Sequence, residues 1–247
     1  MNFNFHRYIP FFMLAIFFVT IQSNSQAQSL NNQSIWDGIG GKSTWLQTDF
    51  ILFVAKGNEV SPTVTGSRKF LLNKANGDVR FEGKNAQNDQ YVVLFNYHSQ
   101  KLKKIFKNQI EIKATAEDQA LIENVLSQFN EDTSLLFLQT FLEKAGSILG
   151  KPEQKISNSE KLIAIPFKSQ SLLNKALAGK ILVNKDNFQL RNLNLNHNAY
   201  LVDGHKDVGA GLTLPTVFKN TTDDAKSCTY TLVASFTEIE ESKFSDL

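Results

Sequence analysis

Cysteine is almost absent from this sequence, since Cys228 is the single one among 247 residues. A lone cysteine excludes an internal disulfide, so the fold must be held together by the burial of apolar side chains. The sequence also lacks a repeat of fixed period and any low-complexity tract. These absences leave an ordinary globular protein as the interpretation.

Charge of one sign is lacking as well, because 26 basic side chains nearly balance 24 acidic ones. A balanced chain has no electrostatic attraction to nucleic acid, so no nucleic-acid partner is expected. After the N-terminal region, no segment has the roughly 20 apolar residues that span a bilayer as a helix. The mature chain is therefore predicted to have no transmembrane segment.

The N-terminus has the pattern of a secretory signal peptide. Arg7 precedes an apolar run of about 13 residues, too short to span a bilayer. The small residues Ser25 and Ala27 then stand where a signal peptidase cuts. We predict a signal peptide over residues 1–27 and a single domain over residues 28–247. Because disulfides are absent, we expect the exported protein in the periplasm of a Gram-negative bacterium, with an extracellular location as the second choice.

Most of the remaining chain alternates between apolar and polar residues, which predicts antiparallel strands with one solvated face. In the last strand the apolar face is Cys228, Tyr230, Leu232, Ala234 and Phe236. This alternation predicts a buried and unreactive Cys228. Asn76-Gly77 lies between two apolar runs and predicts a hairpin, because both residues accept a positive φ.

One region, residues 115–150, has helical spacing instead. Thr115 is the predicted N-cap of a first helix, and Asp132 and Thr133 resemble the start of a second. The apolar stretch from Leu135 to Leu142 should be buried. A further short helix is expected over residues 34–39. Because strands and helices do not alternate along the chain, a parallel sheet is not expected.

Chemistry-bearing motifs are few. The best polar cluster is residues 197–207, where His197, Asp203, His205 and Asp207 could serve a hydrolase or a metal enzyme. Lys206 lies among them and their spacing matches no standard site, so we predict a solvated loop, no metal and no cofactor. A basic run of four lysines predicts a protected strand edge, with contact to an anionic membrane surface as the alternative. The four are Lys101, Lys103, Lys104 and Lys107.

A local resemblance to a known family lies in residues 66–82, with the sequence GSRKFLLNKANGDVRFE. This hairpin resembles that of the outer-membrane lipoprotein carrier (LolA-like) family: a glycine, an aromatic strand, a turn, and an arginine before an aromatic residue. The turn differs, since residues 73–77 replace the usual Arg-Pro. The order of helix, strands, helical pair and strands is also similar. Members are periplasmic half-barrels whose helices form a lid over an apolar hollow, and the resemblance implies a lid-latching arginine, either Arg68 or Arg80.

The expected fold is α+β, a curved antiparallel half-barrel that wraps a helical lid. The expected function is non-enzymatic binding of an acyl chain, a lipid or a lipoprotein-like apolar ligand by a monomer. The alternatives are a packed structural or protein-interaction module without a cavity and, third, the enzyme based on residues 197–207. The residues expected to line the cavity are Phe50, Phe70, Phe81, Leu136, Phe137, Phe141, Tyr230 and Phe236.

Overall fold

The computed structural model describes residues 32–247 with the exceptions of residues 62 and 158, and it does not describe the side chains of residues 32–34 and 117. The predicted signal peptide therefore lies outside the described residues. No helix among those described is both long enough and apolar enough to span a membrane.

The described helices are α1 (Asn32–Asp37), α2 (Lys42–Gln47), α3 (Ala116–Leu136) and α4 (Leu138–Phe141). The strands before α3 are β1 (Phe50–Gly57), β2 (Thr65–Asn73), β3 (Asp78–Lys84), β4 (Gln90–Asn96), β5 (Lys101–Lys107) and β6 (Ile110–Ile112). After α4 come β7 (Ile148–Leu149), β8 (Glu153–Ser157), β9 (Glu160–Gln170), β10 (Ala176–Asn184), β11 (Leu190–Leu195), β12 (Asn198–Asp203), β13 (Lys206–Asp207), β14 (Thr213–Leu214), β15 (Val217–Asn220) and β16 (Cys228–Phe236). Two 3-10 helices occupy Asp224–Lys226 and Glu241–Phe244.

Fourteen of the strands within the described residues form one antiparallel sheet, in the order β6-β5-β4-β3-β2-β1-β16-β15-β12-β11-β10-β9-β7, with β8 paired to β9. The last strand, β16, pairs with the first, β1, and so joins the two halves of the chain. The sheet is curved and does not close, and the helices pack on its inner face. The predicted α+β half-barrel is confirmed.

Helix α3 begins where the sequence predicted. The Thr115 hydroxyl accepts from the Asp118 amide, and the Asp118 carboxylate accepts from the Thr115 amide, which makes a capping box. The predicted second start at Asp132 is wrong, because α3 continues without a break to Leu136. Asp132 caps nothing, and its carboxylate pairs with side chains inside the protein.

The predicted hairpin at Asn76-Gly77 is confirmed, and it joins β2 to β3. The Asn73 side chain accepts from the amides of Ala75 and Asn76, and Gly77 has φ of 82°. A Cβ at Gly77 would lie 2.2 Å from the His98 ring. Glycine is therefore required both by the turn and by the close approach of His98.

Alternation along β16 reverses part-way, and two predicted cavity residues are displaced by it. The register shifts so that Ala55 pairs with Tyr230 and Val54 pairs with Leu232, which leaves Thr231 as the extra residue of a β-bulge. Before the bulge Cys228 and Tyr230 face the core. After it the inward positions are Val233 and Ser235, opposite the buried Phe53 and Ile51.

Phe50 and Phe236 are therefore partners on the outer face of the sheet, and their predicted place inside the half-barrel is corrected. Phe50 stacks on Phe244 of the C-terminal segment at 6.0 Å, and Phe236 is 39% exposed. For Phe50 the alternation could not decide, because β1 is apolar at both odd and even positions. For Phe236, the bulge at Thr231 reversed the alternation and so turned the side chain to the outer face.

Candidate functional site

An aromatic cluster occupies the space between the sheet and the helices. It consists of Phe53, Phe70 and Phe81 from β1 to β3, Phe129 from α3, and Phe137 between α3 and α4. Phe70 is central, with ring centroids 5.1 Å from Phe53, 5.1 Å from Phe81 and 5.4 Å from Phe129. All five rings are essentially fully buried. The space that the sequence predicted as a hollow is occupied by these rings in this conformation.

Six of the eight residues that were expected to line a cavity lie in this interior. They are Phe70, Phe81, Leu136, Phe137, Phe141 and Tyr230, each at most 2% exposed. The structure thus brings the inward strand residues and the helical apolar residues together on one side of the sheet.

A buried ion pair joins helix α3 to the sheet beside the aromatic cluster. Arg68 Nε and Nη2 donate to the two carboxylate oxygens of Asp132, both at 3.0 Å, and neither side chain has any exposure. Arg68 also donates to the carbonyls of Gly57 and Gly66, at 2.7 and 3.2 Å. Burial raises the pKa of Asp132, while Arg68 and its hydrogen bonds oppose that rise.

Further polar groups complete this contact. Gln128, one turn earlier on α3, donates to Asp132 and to the carbonyl of Asn58, and it accepts from the amide of Val60. The Tyr230 hydroxyl donates to the carbonyl of Asp132 at 2.5 Å. Helix α3 is therefore fastened to the β1–β2 connection and to β16 by directional bonds, in surroundings that are otherwise apolar.

Arg80, the other arginine considered as a lid latch, lies on the opposite face. It pairs with Glu82 at 2.7 Å, and its Nη1 donates to the carbonyls of Lys243 and Asp246. It therefore holds the C-terminal segment, and the expectation that it contacts the helices is corrected. The physical reason is alternation: Arg80 follows the inward Val79 and precedes the inward Phe81.

A cleft of about 430 Å³ opens where the helices meet the β2–β3 turn, and we call it the tryptophan cleft. Its apolar wall includes Trp36, Trp45, Phe137 and Phe141, and its charged groups are Lys42, Lys74, Glu143 and Lys144. Phe137 also belongs to the aromatic cluster, and its ring lies 5.4 Å from that of Trp45. Phe137 therefore contacts both the cleft and the buried interior.

The polar residues 197–207 are spread over a turn, strand β12, the loop after it and strand β13. His197 is in the turn before β12, Asp203 ends that strand, and Asp207 is exposed on β13. In the part of the chain that the structure describes, no three His, Cys, Asp or Glu side chains are grouped to hold a metal. Burial lowers the pKa of His205 to about 4, which makes it neutral at physiological pH. Cys228 is fully buried, and burial raises its pKa, in agreement with the predicted inert thiol.

The predicted basic run lies on β5, where acidic partners neutralise three of its lysines. Lys103 pairs with Asp78 at 2.7 Å, and Lys107 pairs with Asp89 at 2.9 Å. Lys104 pairs with Asp246 at 3.0 Å. These ion pairs stabilise the protein surface next to the sheet edge.

Sequence reasoning missed Asp132, Gln128 and the residues of the tryptophan cleft. A signal for the first two was present, because residues 121, 125, 128 and 132 share one face of a helix and the last two interrupt an apolar stripe. The cleft gave no such signal, because α1, the β2–β3 turn and α4 are distant in the sequence.

Comparisons with known proteins found similar structures only. No protein-family model matches the chain, and no curated protein matches it. A LolA superfamily protein from Nitrosomonas europaea is 9% identical, with 86% of this chain and 95% of that chain covered and a TM-score of 0.42. An outer membrane lipoprotein-sorting protein domain from Vibrio parahaemolyticus is 8% identical, with 82% and 93% covered and a TM-score of 0.35. Lipoprotein LppX of Mycobacterium tuberculosis is 6% identical, with 85% and 96% covered and a TM-score of 0.30. Likenesses of this kind concern the fold alone.

Proposed function

We propose that this protein, after export, binds an acyl chain or a similar apolar ligand between its helices and the inner face of its sheet, without catalysis and as a monomer. The observation that carries the proposal is the buried Arg68–Asp132 pair, which fastens α3 over the aromatic cluster. Apolar contacts would hold a helix that only fills the core at least as well as this ion pair does.

The buried ion pair is one argument that helix α3 can move away from the sheet. Two charges taken out of water contribute little net stability, and apolar residues of similar volume often stabilise a protein more. Their directional bonds do favour one defined closed position, in which Arg68 meets Asp132. When α3 moves away, both groups regain water, so opening exchanges protein contacts for hydration. We infer that the helical segment is a lid and that Arg68 is its latch.

The aromatic cluster supports an apolar ligand. Each methylene that enters such an interior contributes about 0.8 kcal/mol. A chain of sixteen carbons would therefore gain on the order of 10 kcal/mol, from which the cost of displacing the helices and of association must be subtracted. Micromolar affinity or better requires that about 8 kcal/mol of this gain remain, and this is the affinity we expect.

The filled interior favours a second function, that of a packed protein-interaction module. In that case Phe70 and its neighbours are a permanent core, and the protein binds no acyl chain. Saturable ligand binding separates the two functions.

The experiment is a titration of delipidated protein with a fluorescent fatty acid. We expect saturable binding by the wild type. Phe141→Asp should abolish it, because an unpaired carboxylate in an apolar site costs several kcal/mol. Phe236→Asp is the matched control, because Phe236 lies on the outer face and is partly exposed.

Circular dichroism must show that both variants are folded. If the wild type is folded and binds no acyl probe, the carrier function is wrong and the packed module replaces it.

A further inference from the structure

The charged groups of the tryptophan cleft are unbalanced toward positive charge. Three ammonium groups, those of Lys42, Lys74 and Lys144, line it together with one carboxylate, that of Glu143. Lys42 and Glu143 pair at 3.5 Å and so offset each other. Lys74 and Lys144 make no ion pair within the part of the chain that the structure describes.

Lys74 is held by backbone and ring contacts. Its Nζ donates to the carbonyls of Trp45 and Thr48, and it lies 3.9 Å from the centre of the Trp45 ring. An ammonium group has three donors, so one remains for a ligand. Burial lowers the pKa of Lys74 to about 8, with Asp49 opposing the change. An anion in the cleft would return to this ammonium the stabilisation that burial removes.

Lys144 and Trp36 point to the same kind of ligand. Lys144 donates to the carbonyl of Ser171 at 3.3 Å and lies 4.5 Å from the centre of the Phe141 ring, which leaves two of its donors free. Trp36 is 4% exposed, and its indole N–H has no acceptor among the described residues. A buried donor without an acceptor is unusual in a native protein. Oxygen atoms of a ligand would satisfy it.

Solvent-exposed lysines elsewhere on the sheet provide the contrast. Lys69, Lys103 and Lys107 each have a carboxylate within about 3 Å. These neighbouring carboxylates neutralise their charges, so an anionic ligand would gain little from them. The combination of aromatic wall, unpaired ammonium groups and unsatisfied N–H is found at the mouth of the proposed binding region.

We propose that the tryptophan cleft binds the anionic head group, a carboxylate or a phosphate, of the amphiphile whose chain enters the interior. Both head groups carry oxygens that accept from ammonium and indole donors. This inference rests on the proposed function, because it assigns the two ends of one ligand to two parts of the protein. Glu143 disfavours the anion, and its pairing with Lys42 reduces that effect.

The test compares three probes with the same oleoyl chain on the wild-type protein. Oleate carries a carboxylate, oleoyl lysophosphatidate carries a phosphate, and monooleoylglycerol carries no charge. We expect at least tenfold tighter binding of one or both anionic probes, and their ranking identifies the head group. Isothermal titration below the critical micelle concentration gives each affinity.

Substitutions then assign the preference to the cleft. Lys74→Gln and Lys144→Gln should each reduce the preference for an anion to threefold or less, with little change for monooleoylglycerol. Glu143→Gln should strengthen anion binding several-fold. Lys103→Gln, outside the cleft, is the matched control and should behave as the wild type. If Lys74→Gln fails to fold, Lys144→Gln and Glu143→Gln test whether the anion preference arises from the cleft.

The outcomes separate the two proposals. If none of the three probes binds the wild type, the proposed function is wrong. If all three bind with equal affinity, or if the preference survives both lysine substitutions, the proposed function stands and the head-group site is wrong.

Discussion

The two faces of the sheet each carry a buried arginine, and the comparison between them distinguishes the contact of the proposed lid from that of a fixed cover. Arg68 on the inner face meets Asp132, which has no exposure, whereas Arg80 on the outer face meets Glu82, whose side chain is 33% exposed. Beneath the inner arginine lies the aromatic cluster. The outer one anchors the C-terminal segment by its carbonyls.

The difference shows that similar hydrogen bonding has different consequences in the two environments. On the outer face water reaches the partners, so loss of one bond is compensated by hydration. On the inner face no water replaces a lost partner while the helices are closed. Loss of a partner should therefore destabilise the protein more at the Arg68–Asp132 pair than at the Arg80–Glu82 pair. Whether Arg68 and Asp132 are in contact depends on the position of α3.

The largest expected effect comes from breaking one pair at a time. Arg68→Leu leaves the Asp132 carboxylate buried without its cation, which should lower the free energy of unfolding by about 3–5 kcal/mol. Arg80→Leu, the matched change on the outer face, should lower it by about 1 kcal/mol. Urea unfolding followed by circular dichroism measures both. Equal losses for the two variants would remove the distinction between the faces.

A smaller effect is expected when the inner pair is replaced as a whole. Arg68→Met combined with Asp132→Leu removes both charges and keeps the volume apolar, so the stability should stay within about 1 kcal/mol of the wild type or rise. The lid should then open less readily, and binding of the fluorescent fatty acid should weaken. Unchanged affinity in this stable variant would mean that the pair has a structural role only.

The smallest expected effect is a dependence on pH that belongs to Lys74. Its pKa in the folded protein is about 8, below the ordinary 10.5, so the unfolded state binds more protons between these values. The contribution of Lys74 to stability should therefore rise with pH through this window. Binding of the anionic probes should fall, because the ammonium loses its charge. The charged or titratable groups near it are Asp49, Lys42, Glu143, Lys144, Tyr97 and His98.

Denaturant unfolding and probe titration at pH 7 and pH 9.5 measure these changes, with Lys74→Gln as the reference. A wild type and a Lys74→Gln variant with the same pH dependence would show that this ammonium does not titrate in the window.

Much of the architecture was predictable because local patterns agree with the tertiary structure. Alternation identified part of the strands, such as β16, while Asn76-Gly77 identified the β2–β3 hairpin and Thr115 identified the start of α3. Two features escaped these patterns. The bulge at Thr231 depends on pairing with β1, and the buried carboxylate of Asp132 inside α3 depends on a partner, Arg68, that is distant in the sequence.

The candidate site was predictable in part for the same reason. The inward position of Arg68 could be derived from its alternation with Phe70 and Leu72, and the outward position of Arg80 from its neighbour Phe81. The tryptophan cleft could not be derived, because its groups come together only when the half-barrel is folded.

The central claim is that the helices form a lid, and the distance between α3 and the sheet tests it most directly. Spin labels at Ser127→Cys on α3 and Lys219→Cys on the outer face of β15 report this distance, in a Cys228→Ala background. A second pair, Lys101→Cys and Lys219→Cys, reports the sheet alone. We expect saturating oleate to lengthen the first distance and to leave the second unchanged. A first distance that is the same with and without bound oleate would contradict the account.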